Sequence, residues 1–576
     1  MKMRQGLSPL VRWARSLRPK SDLAAKAVYL LACVWLVSCS TTYDPRSHLR
    51  GSGTLTDCRG QALEFTASCF TQHIVAVDCA GLLLHPGLDP YTDVQQWGEY
   101  FRVLTNSIAS TPLGTNIFIF VHGGLNSRVD SFERATNLWR KLQANKPGYY
   151  PIFINWDSGL MSSYWEHLHR VRQGQVVGLS GAFSAPLYLL ADLGRGVTRA
   201  PVVFYHNSRS DMMGLTDSSF LIASAVPRAM FRQASSLMSS RATAKTAPVS
   251  VFPDKIEKTV ESYLNRWVAP DAVNAQALYL QLRRRYETDQ AGNIAVSQGD
   301  LQRSRWESVS RAALYVVTLP IKVAGQSLLL DSFGTSAWNN MLRRTRTMFR
   351  RPQEFNVEKG WTDLARLRQR LESPPTGAVA EFMRHLSALA AQTNHHYQIT
   401  LVGHSMGTIV LNELVRNYPN LPYTNIVYLA AACTMRDLES SVVPYLATHP
   451  GATFYNLCLH PENDAHGVSV GGDLGPRGTL LQWIDNFFST PLTMEDRTLG
   501  NWYNLMQETH VFPTNVHSQI KLKAFAVGPS DEFPEGNPQQ HEAFGTNVFW
   551  SPVFWSPKPP SRQVPSTSGS PPRPSQ

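Results

Sequence analysis

The sequence predicts an α/β fold in which a mostly parallel sheet is flanked by helices and interrupted by a large, mainly helical insertion. Short apolar runs rich in β-branched and aromatic residues recur along the 576-residue chain. Such continuous runs are typical of strands that are buried on both faces, as in a parallel sheet covered by helices. Helical patterns lie between the runs, and residues 163–375 separate the second run from the third. The composition, 43% hydrophobic and 17% charged, is that of a folded protein.

Six runs are predicted to form the strands. They are, in chain order, NIFIFVH (Asn116–His122), YYPIFINW (Tyr149–Trp156), YQITLVGH (Tyr397–His404), NIVYLAAAC (Asn425–Cys433), TFYNLCLH (Thr453–His460) and KLKAFAVG (Lys521–Gly528). The helical patterns between them include SFERATNLWRKLQAN, AVAEFMRHLSALAAQ and GTIVLNELVRN. Because strands that alternate with helices form βαβ units, we expect the α/β core to span 108–162 and 376–557. The leading segment, 39–107, carries no motif that indicates its fold.

The insertion, 163–375, contains two apolar helix-like stretches, VVGLSGAFSAPLYLLADLG and ALYVVTLPIKVAGQSLLLD, and a basic amphipathic one, WNNMLRRTRTMFRR. The apolar residues of the basic stretch share one helical face, and arginines surround them. This helix could lie on an anionic membrane surface. We favour the alternative, in which it packs on its own domain with its arginines in solvent. That the insertion forms a lid over a site is a hypothesis. The Pro/Ser-rich tail, 558–576, is predicted to be disordered.

The start of the chain resembles an export signal. Seven Lys or Arg precede Cys39 against one acid, Asp22, so removing this excess of six from the net charge of +11 leaves +5. Nucleic-acid binding is therefore not supported. The apolar run Ala27–Val37 is too short for a comfortable membrane span, and it ends in LVSC (36–39), which resembles a bacterial lipobox. That resemblance implies a signal peptide over 1–38, a lipidated Cys39 and, because Ser40 follows, outer-membrane sorting. The alternative is an uncleaved membrane anchor.

The cysteines outside this signal are five, an odd number, so at least one stays free. Outside the cytoplasm, a pair among the first three could form a disulfide; the five are Cys58, Cys69, Cys79, Cys433 and Cys458. No CxxC or Cys/His spacing indicates a structural zinc site.

The motif G-x-S-x-G occurs twice, as GHSMG (403–407) and GVSVG (467–471). Only the first lies between a predicted strand and a predicted helix, the context in which a tight turn exposes a serine nucleophile. Ser469 follows the polar loop PENDAH and leads into GGDLGPRG, which is not a helical sequence. Ser405 is therefore the candidate nucleophile. Gly403 and Gly407 avoid collisions across the turn, and the Met406 N–H, at the helix N-terminus, would face a developing oxyanion.

These residues resemble the α/β-hydrolase superfamily, in which an oxyanion loop with an HG dipeptide follows an early strand. Here His122-Gly123-Gly124 directly follows the run IFIFV. The resemblance implies that an N–H near Gly124 is the second oxyanion donor. It also implies a structural role for His122, and it covers about Asn116–Trp156 and Tyr397–Trp555.

The superfamily's acid usually comes after the strand two beyond the nucleophile, which favours Asp464. Asp437, after the preceding strand, is the alternative and would otherwise be a helix cap. Glu462 and Asp473 also remain open. The superfamily's histidine follows the last strand, where the sequence offers His541. His510 and His517 precede that strand and are expected to be exposed or capping residues.

Together, Ser405, Asp464 and His541 predict acyl transfer through an acyl-enzyme, without a metal or organic cofactor. The expected protein is a lipid-anchored carboxylesterase or lipase whose partners are an ester or lipid substrate and the membrane. A peptidase, amidase or thioesterase would use the same triad. A second class is a non-catalytic envelope lipoprotein that keeps the fold for binding, and either class is compatible with a membrane or partner adaptor. The sequence does not predict the oligomeric state.

Overall fold

The structure is a computed structural model. It describes residues 55–56, 62–63, 68–84, 90–91, 94–126, 128–145, 148–172, 175–176, 180–215, 267–270, 273, 323–351, 376–392, 397–460, 463–464, 478–525, 537–546 and 548–555. The predicted signal with Cys39, the second motif with Ser469, the acids Glu462 and Asp473, and the C-terminal tail lie outside these residues.

A seven-stranded parallel sheet forms the centre of the protein, which confirms the predicted α/β fold. All six predicted runs are strands. The strands are β1 (Ile74–Val77), β2 (Asn116–Val121), β3 (Tyr149–Trp156), β4 (Gln398–His404), β5 (Tyr423–Leu429), β6 (Thr453–Cys458) and β7 (Ile520–Ala524). Their order across the sheet is β7-β6-β5-β4-β2-β3-β1.

The middle of the sheet contains a change of direction. The chain leaves β2 toward β3 on one side, whereas it leaves β4 toward β5 on the other. β2 and β4 are direct neighbours, and their register pairs Val121 with Gly403. The two loops that follow these strands therefore begin side by side. Ligands of open α/β sheets bind in the crevice at such a switch point, outside the carboxyl ends of the strands.

Helices surround the sheet. They are α1 (Ser68–His73), α2 (Val94–Ala109), α3 (Arg128–Asn145), α4 (Leu160–His169), α5 (Ser180–Leu215), α6 (Thr335–Thr347), α7 (Ala378–Ala390), α8 (Gly407–Asn417), α9 (Met435–Glu439), α10 (Val442–Thr448), α11 (Leu480–Trp483), α12 (Trp502–Gln507), α13 (Ala543–Thr546) and α14 (Pro552–Trp555). A π-helical segment, Gln326–Gly334, precedes α6, and another, Ile484–Phe488, follows α11. Short 3-10 turns cover Thr509–Val511, Thr514–Gln519 and Val548–Trp550. None of the described helices is long and apolar enough to cross a membrane.

Strand β1 lies in the leading segment, where the sequence offered no prediction. It pairs with β3 at the edge of the sheet. Helix α2, which follows it, buries Trp97, Phe101, Leu104 and Ile108, and this spacing of four, three and four residues produces one apolar helical face. Phe101 packs against Phe382 of α7 at a ring distance of 5.9 Å. Strand β1 and helix α2 therefore belong to the same hydrophobic core as the rest of the sheet.

The basic stretch of the insertion packs on its own domain. Trp338 and Met341 of α6 are buried in the core. The expectation that the arginines are in solvent is wrong for Arg344, which is 4% exposed. Its Nε lies 2.9 Å from Glu166 Oε2 of α4, and its Nη1 donates to the Asp157 carbonyl at 2.7 Å. A buried guanidinium requires such partners because its desolvation is costly.

Two short antiparallel strand pairs lie outside the central sheet. They join Leu55–Thr56 to Ala62–Leu63 and Val171–Arg172 to Gln175–Val176.

Three of the described cysteines are free thiols. They are Cys79 and the buried Cys433 and Cys458. Cys79 is therefore not part of the disulfide that the sequence left open.

Candidate functional site

Ser405 occupies a strained turn between β4 and α8. Its φ of 52° lies in the left-handed region, which costs a non-glycine residue about 1–3 kcal/mol. The Ser405 N–H donates to the Leu429 carbonyl at 2.9 Å, and its own carbonyl accepts from the N–H groups of Thr408 and Ala432, both at 3.1 Å. The end of β5 and the first turn of α8 therefore hold the strained conformation.

Glycines are required on both sides of Ser405. A Cβ on Gly407 would lie 2.2 Å from the Val121 carbonyl oxygen of β2. A Cβ on Gly403 would lie 2.8 Å from Leu411 Cδ1 and 3.0 Å from the Thr408 nitrogen. Distances this short are steric collisions, so the turn packs against both its own helix and the neighbouring strand only when these side chains are absent.

The loop after β2 contacts the Ser405 turn directly. A Cβ on Gly123 would lie 2.8 Å from Ser405 Cβ, and a Cβ on Gly124 would lie 2.7 Å from Met406 Sδ. The backbone of this loop therefore comes as close to Ser405 as sterics permit. Any group bound at Ser405 Oγ would also meet the peptide groups of the loop.

The orientation of these peptide groups is set by the Gly123 carbonyl. It accepts hydrogen bonds from Asn126 Nδ2 at 2.9 Å, Ser158 Oγ at 3.0 Å and His122 Nδ1 at 2.8 Å. In a trans peptide the following N–H points the opposite way. The Gly124 N–H is therefore turned away from all three donors.

Two backbone donors at the site have no acceptor. Among the described residues, neither the Gly124 N–H nor the Met406 N–H forms a hydrogen bond with a protein group. The Met406 N–H also lies at the start of α8, where the helix dipole favours negative charge. The arrangement is therefore suited to an anionic oxygen held between the two loops.

The ring of His122 is bound to the backbone. Its Nδ1–H donates to the Gly123 carbonyl, and its Nε2 accepts from the Trp156 N–H at 3.1 Å. Burial lowers its pKa to about 4, so the ring is neutral at neutral pH. With both nitrogens engaged, His122 shapes the loop and has no free site for a proton from Ser405.

His541 lies beside the Ser405 turn, after β7. Its carbonyl accepts a hydrogen bond from His404 Nε2 at 3.1 Å, and the centroids of the two rings are 5.2 Å apart. Both ring nitrogens of His541 are shielded from solvent and have no hydrogen-bond partner among the residues that the structure describes. Burial lowers its pKa to about 4, so it is an unprotonated base at neutral pH.

Asp464 follows β6 and is 1% exposed. Its Oδ1 accepts from Thr479 Oγ1 at 2.8 Å, whereas its Oδ2 has no partner in the described ranges. Burial, with a smaller contribution from the negative charge of Asp485, raises its pKa to about 7. The loops that follow β6 and β7 are joined by a 3.1 Å hydrogen bond from Asn463 Nδ2 to Gln539 Oε1.

Within the described part of the chain, the three residues are not connected to one another. Ser405 Oγ, both ring nitrogens of His541 and Asp464 Oδ2 are all buried there without a hydrogen-bond partner. Polar atoms in protein interiors are usually paired, and catalytic hydrogen bonds are often long or misaligned before substrate binds. The three candidate residues therefore lie at one edge of the sheet. We call this arrangement the closed state: their polar atoms are shielded from solvent and form no hydrogen bonds with one another.

The alternative acid is engaged elsewhere. The carboxylate of Asp437 lies 3.6 Å from Arg416 Nη2, and its side chain is 38% exposed. Its expected role as a helix cap is wrong: Thr434 caps α9, and the Thr434 Oγ1 accepts from the Asp437 N–H at 3.0 Å.

The alternative histidines are also engaged elsewhere. His510 is 68% exposed and lies 2.8 Å from Glu508. His517 Nε2 donates to the Phe512 carbonyl at 2.6 Å. Among the described residues, one group of ligand type could hold a metal ion: Glu495, Glu508 and His510. Arg436 Nη2 already lies 2.8 Å from the Glu495 carboxylate.

Two site residues were not predicted from the sequence. His404 is buried, and a Cβ on Gly123 or on Gly545 would lie 2.8 or 3.1 Å from its Nδ1. Burial, with the positive charge of Arg134 contributing, holds the pKa of His404 well below its usual value. The only available signal for His404 was its place in the motif, directly before Ser405. Arg134 of α3 carried no signal at all.

No family model, curated protein or solved structure matches the chain. The geometry of the site is therefore the basis for assigning a function.

Proposed function

We propose that the protein is a serine hydrolase of the α/β-hydrolase type that cleaves carboxylic esters. The observation that carries the proposal is the left-handed Ser405 beside two unpaired N–H donors, those of Gly124 and Met406, at the switch point of a parallel sheet. A strained nucleophile next to oriented donors is the arrangement that acyl transfer requires.

The order of the strands supports the same superfamily. The loop with Gly123 and Gly124 follows β2, the direct neighbour of the strand that precedes Ser405. Asp464 follows β6, two strands beyond the Ser405 strand, and His541 follows β7. These are the places where the superfamily carries its oxyanion loop, acid and histidine.

In the proposed reaction, His541 removes the Ser405 proton as Oγ attacks the ester carbonyl carbon. The resulting oxyanion accepts hydrogen bonds from the Gly124 and Met406 N–H groups. His541 then protonates the leaving alcohol as the carbon–oxygen bond breaks, and it activates the water that hydrolyses the acyl-enzyme. Asp464 orients the imidazole and stabilises its positive charge.

The closed state implies a rearrangement before catalysis. Because Ser405 Oγ is shielded from solvent, substrate must displace the groups that cover it. We propose that this opening brings His541 into hydrogen-bond contact with both Ser405 and Asp464. The pKa of His541 should then rise from about 4, since a neighbouring carboxylate favours the charged ring. A lid role for the insertion stays a prediction.

Reaction with a fluorophosphonate probe tests the proposal. Wild type should be labelled, Ser405→Ala should not, and the exposed Ser110→Ala should behave as wild type. Wild type and Ser110→Ala should hydrolyse p-nitrophenyl butyrate or p-nitrophenyl palmitate, and Ser405→Ala should hydrolyse neither. The ratio of the two hydrolysis rates distinguishes an esterase from a lipase. A wild type that is neither labelled nor active on either ester would contradict the proposal.

Matched pairs of variants test the two partners of Ser405. Asp464→Asn should be inactive and Asp437→Asn active. Likewise His541→Ala should keep only a small residual activity, whereas the exposed His510→Ala should retain the wild-type rate. A wild-type rate in His541→Ala would overturn the assignment of the base.

The second candidate is a non-catalytic envelope lipoprotein with a hydrolase scaffold, and the disconnected triad is the observation that favours it. It predicts no labelling of the wild type. An amidase or thioesterase would be labelled but would prefer p-nitroanilides or acyl thioesters.

The membrane anchor is proposed from the sequence alone. It places the protein in the cell envelope, on the outer membrane, through a lipidated Cys39. Metabolic labelling with palmitate should mark wild type and not Cys39→Ala, and labelling of both would contradict it.

A further inference from the structure

We propose that His404 is a positioning residue that fixes the turn carrying His541, and the loop after β2, relative to Ser405. This inference rests on the proposed function and assigns a role to a histidine that takes no part in the reaction itself. The peptide chain joins His404 directly to Ser405, so a group held by the His404 ring is held relative to the nucleophile.

The first contact is the hydrogen bond to the base-bearing turn. His404 Nε2 lies 3.1 Å from the His541 carbonyl oxygen. Since a carbonyl only accepts, Nε2 must carry the proton, which selects one neutral tautomer of His404. The two rings lie side by side, with centroids 5.2 Å apart and planes inclined by 38°. His541 is therefore held through its backbone, which leaves its ring free to act.

The second contact is steric. The other ring nitrogen, Nδ1, lies 2.8 Å from the Cβ position of Gly123 and 3.1 Å from that of Gly545. The loop after β2 and the turn after His541 therefore approach the same edge of one ring, each with a glycine at the point of contact. His404 acts as a spacer between the two loops that supply the proposed oxyanion donor and base.

The chemistry of His404 suits a positioning role and does not suit the role of a second catalytic base. The ring is buried, and burial keeps it neutral. Its protonated nitrogen already donates to a backbone carbonyl, and its Nδ1 faces the two glycines. Misplacement of a catalytic group by about 1 Å lowers a rate by about 100-fold. Loss of the His404 hydrogen bond should therefore reduce turnover without removing any reacting group.

Two substitutions in the full-length protein test the inference. His404→Phe keeps an aromatic ring and removes the donor, whereas in His404→Gln the side-chain amide can still donate to the His541 carbonyl. We expect kcat on p-nitrophenyl butyrate to fall by about 10- to 100-fold in His404→Phe, with KM changed less than about 3-fold. His404→Gln should recover at least a third of the wild-type rate. His510→Phe, at an exposed histidine, is the matched control.

A double substitution separates positioning from a general effect on the Ser405 turn. If His404 acts through His541, His404→Phe should cause no further loss of residual activity in a His541→Ala background. An undiminished 10- to 100-fold loss in that background would overturn the inference, as would equal rates for His404→Phe and wild type.

Hydrogen exchange gives a readout that does not depend on activity. Backbone amides of 541–546 should exchange at least about 10-fold faster in His404→Phe than in wild type, with partial protection in His404→Gln. Unchanged exchange there would contradict the positioning role. Inactivity of the wild type would contradict the proposed function instead, so the two failures are distinguishable.

Discussion

Replacing Asp464 with asparagine should make the protein more stable at alkaline pH while it abolishes the proposed activity. Burial raises the pKa of Asp464 from 3.8 to about 7. Between these two values the folded state holds the proton and the unfolded state releases it, so stability is lost as the pH rises. An asparagine side chain would carry no charge at any pH, and its amide oxygen would keep the hydrogen bond from Thr479.

The magnitude follows from the two pKa values. Each pH unit between 3.8 and about 7 corresponds to about 1.4 kcal/mol, which gives about 4 kcal/mol for the charged Asp464 above pH 7. Asp464→Asn should therefore match wild type near pH 4 and exceed it by up to about 4 kcal/mol at pH 8. A gain of this size raises a melting temperature by several degrees.

Thermal melting of wild type and Asp464→Asn from pH 4 to pH 8 measures the effect. Asp496→Asn is the control of opposite sign, because hydrogen bonds from Arg436 and Thr493 lower the pKa of that half-buried carboxylate. Its small effect should be a loss of stability at high pH. If the melting curves of wild type and Asp464→Asn stay parallel across this range, the charge on Asp464 is not buried as described.

Three further predictions concern packing and reactivity. Gly407→Ala should lower the melting temperature because its Cβ would lie 2.2 Å from a strand carbonyl, whereas Gly98→Ala, in open space on α2, should raise stability by about 0.5–1 kcal/mol; a more stable Gly407→Ala would contradict the packing of the turn. Arg344→Met should cost up to about 3–5 kcal/mol, because it removes one of the two arginines paired with the buried Glu166 and leaves only Arg343 at 2.9 Å from that carboxylate; the exposed Arg384→Met should cost less than about 1 kcal/mol in the same melting assay. Burial raises the pKa of Cys433 to about 12, so site-resolved mass spectrometry should find it unalkylated by iodoacetamide at pH 8 until the protein unfolds; rapid native alkylation would refute its burial.

Six strands could be predicted because each is largely buried and therefore mostly apolar, although β7 also contains Lys521 and Lys523. Strand β1 was missed because it has only four residues and exists through its pairing with β3. The burial of Arg344 was likewise beyond prediction. Its charge indicated a solvated face, and its partner Glu166 comes from a distant part of the sequence.

At the candidate site, the sequence predicted the features that depend on contacts between neighbouring turns. The glycines around Ser405 and in the loop after β2 are required by contacts between short, adjacent turns. Asp464 and His541 could be placed only by their order after the strands, which fixes the edge of the sheet and not the contacts between side chains. The role inferred for His404 depends on a hydrogen bond across tertiary structure, and no sequence pattern encodes it.

The central pairing of β2 with β4 also determines when, during synthesis, the sheet can form. Asn116 is the register partner of Gln398, so the middle of the sheet closes only after the whole insertion has been synthesised. Until then β2 has an unpaired, apolar edge, which invites aggregation. The two loops that meet at Ser405 come from opposite sides of this late junction. The proposed activity therefore requires that this long-range pairing has formed, and partly folded chains are expected to lack it.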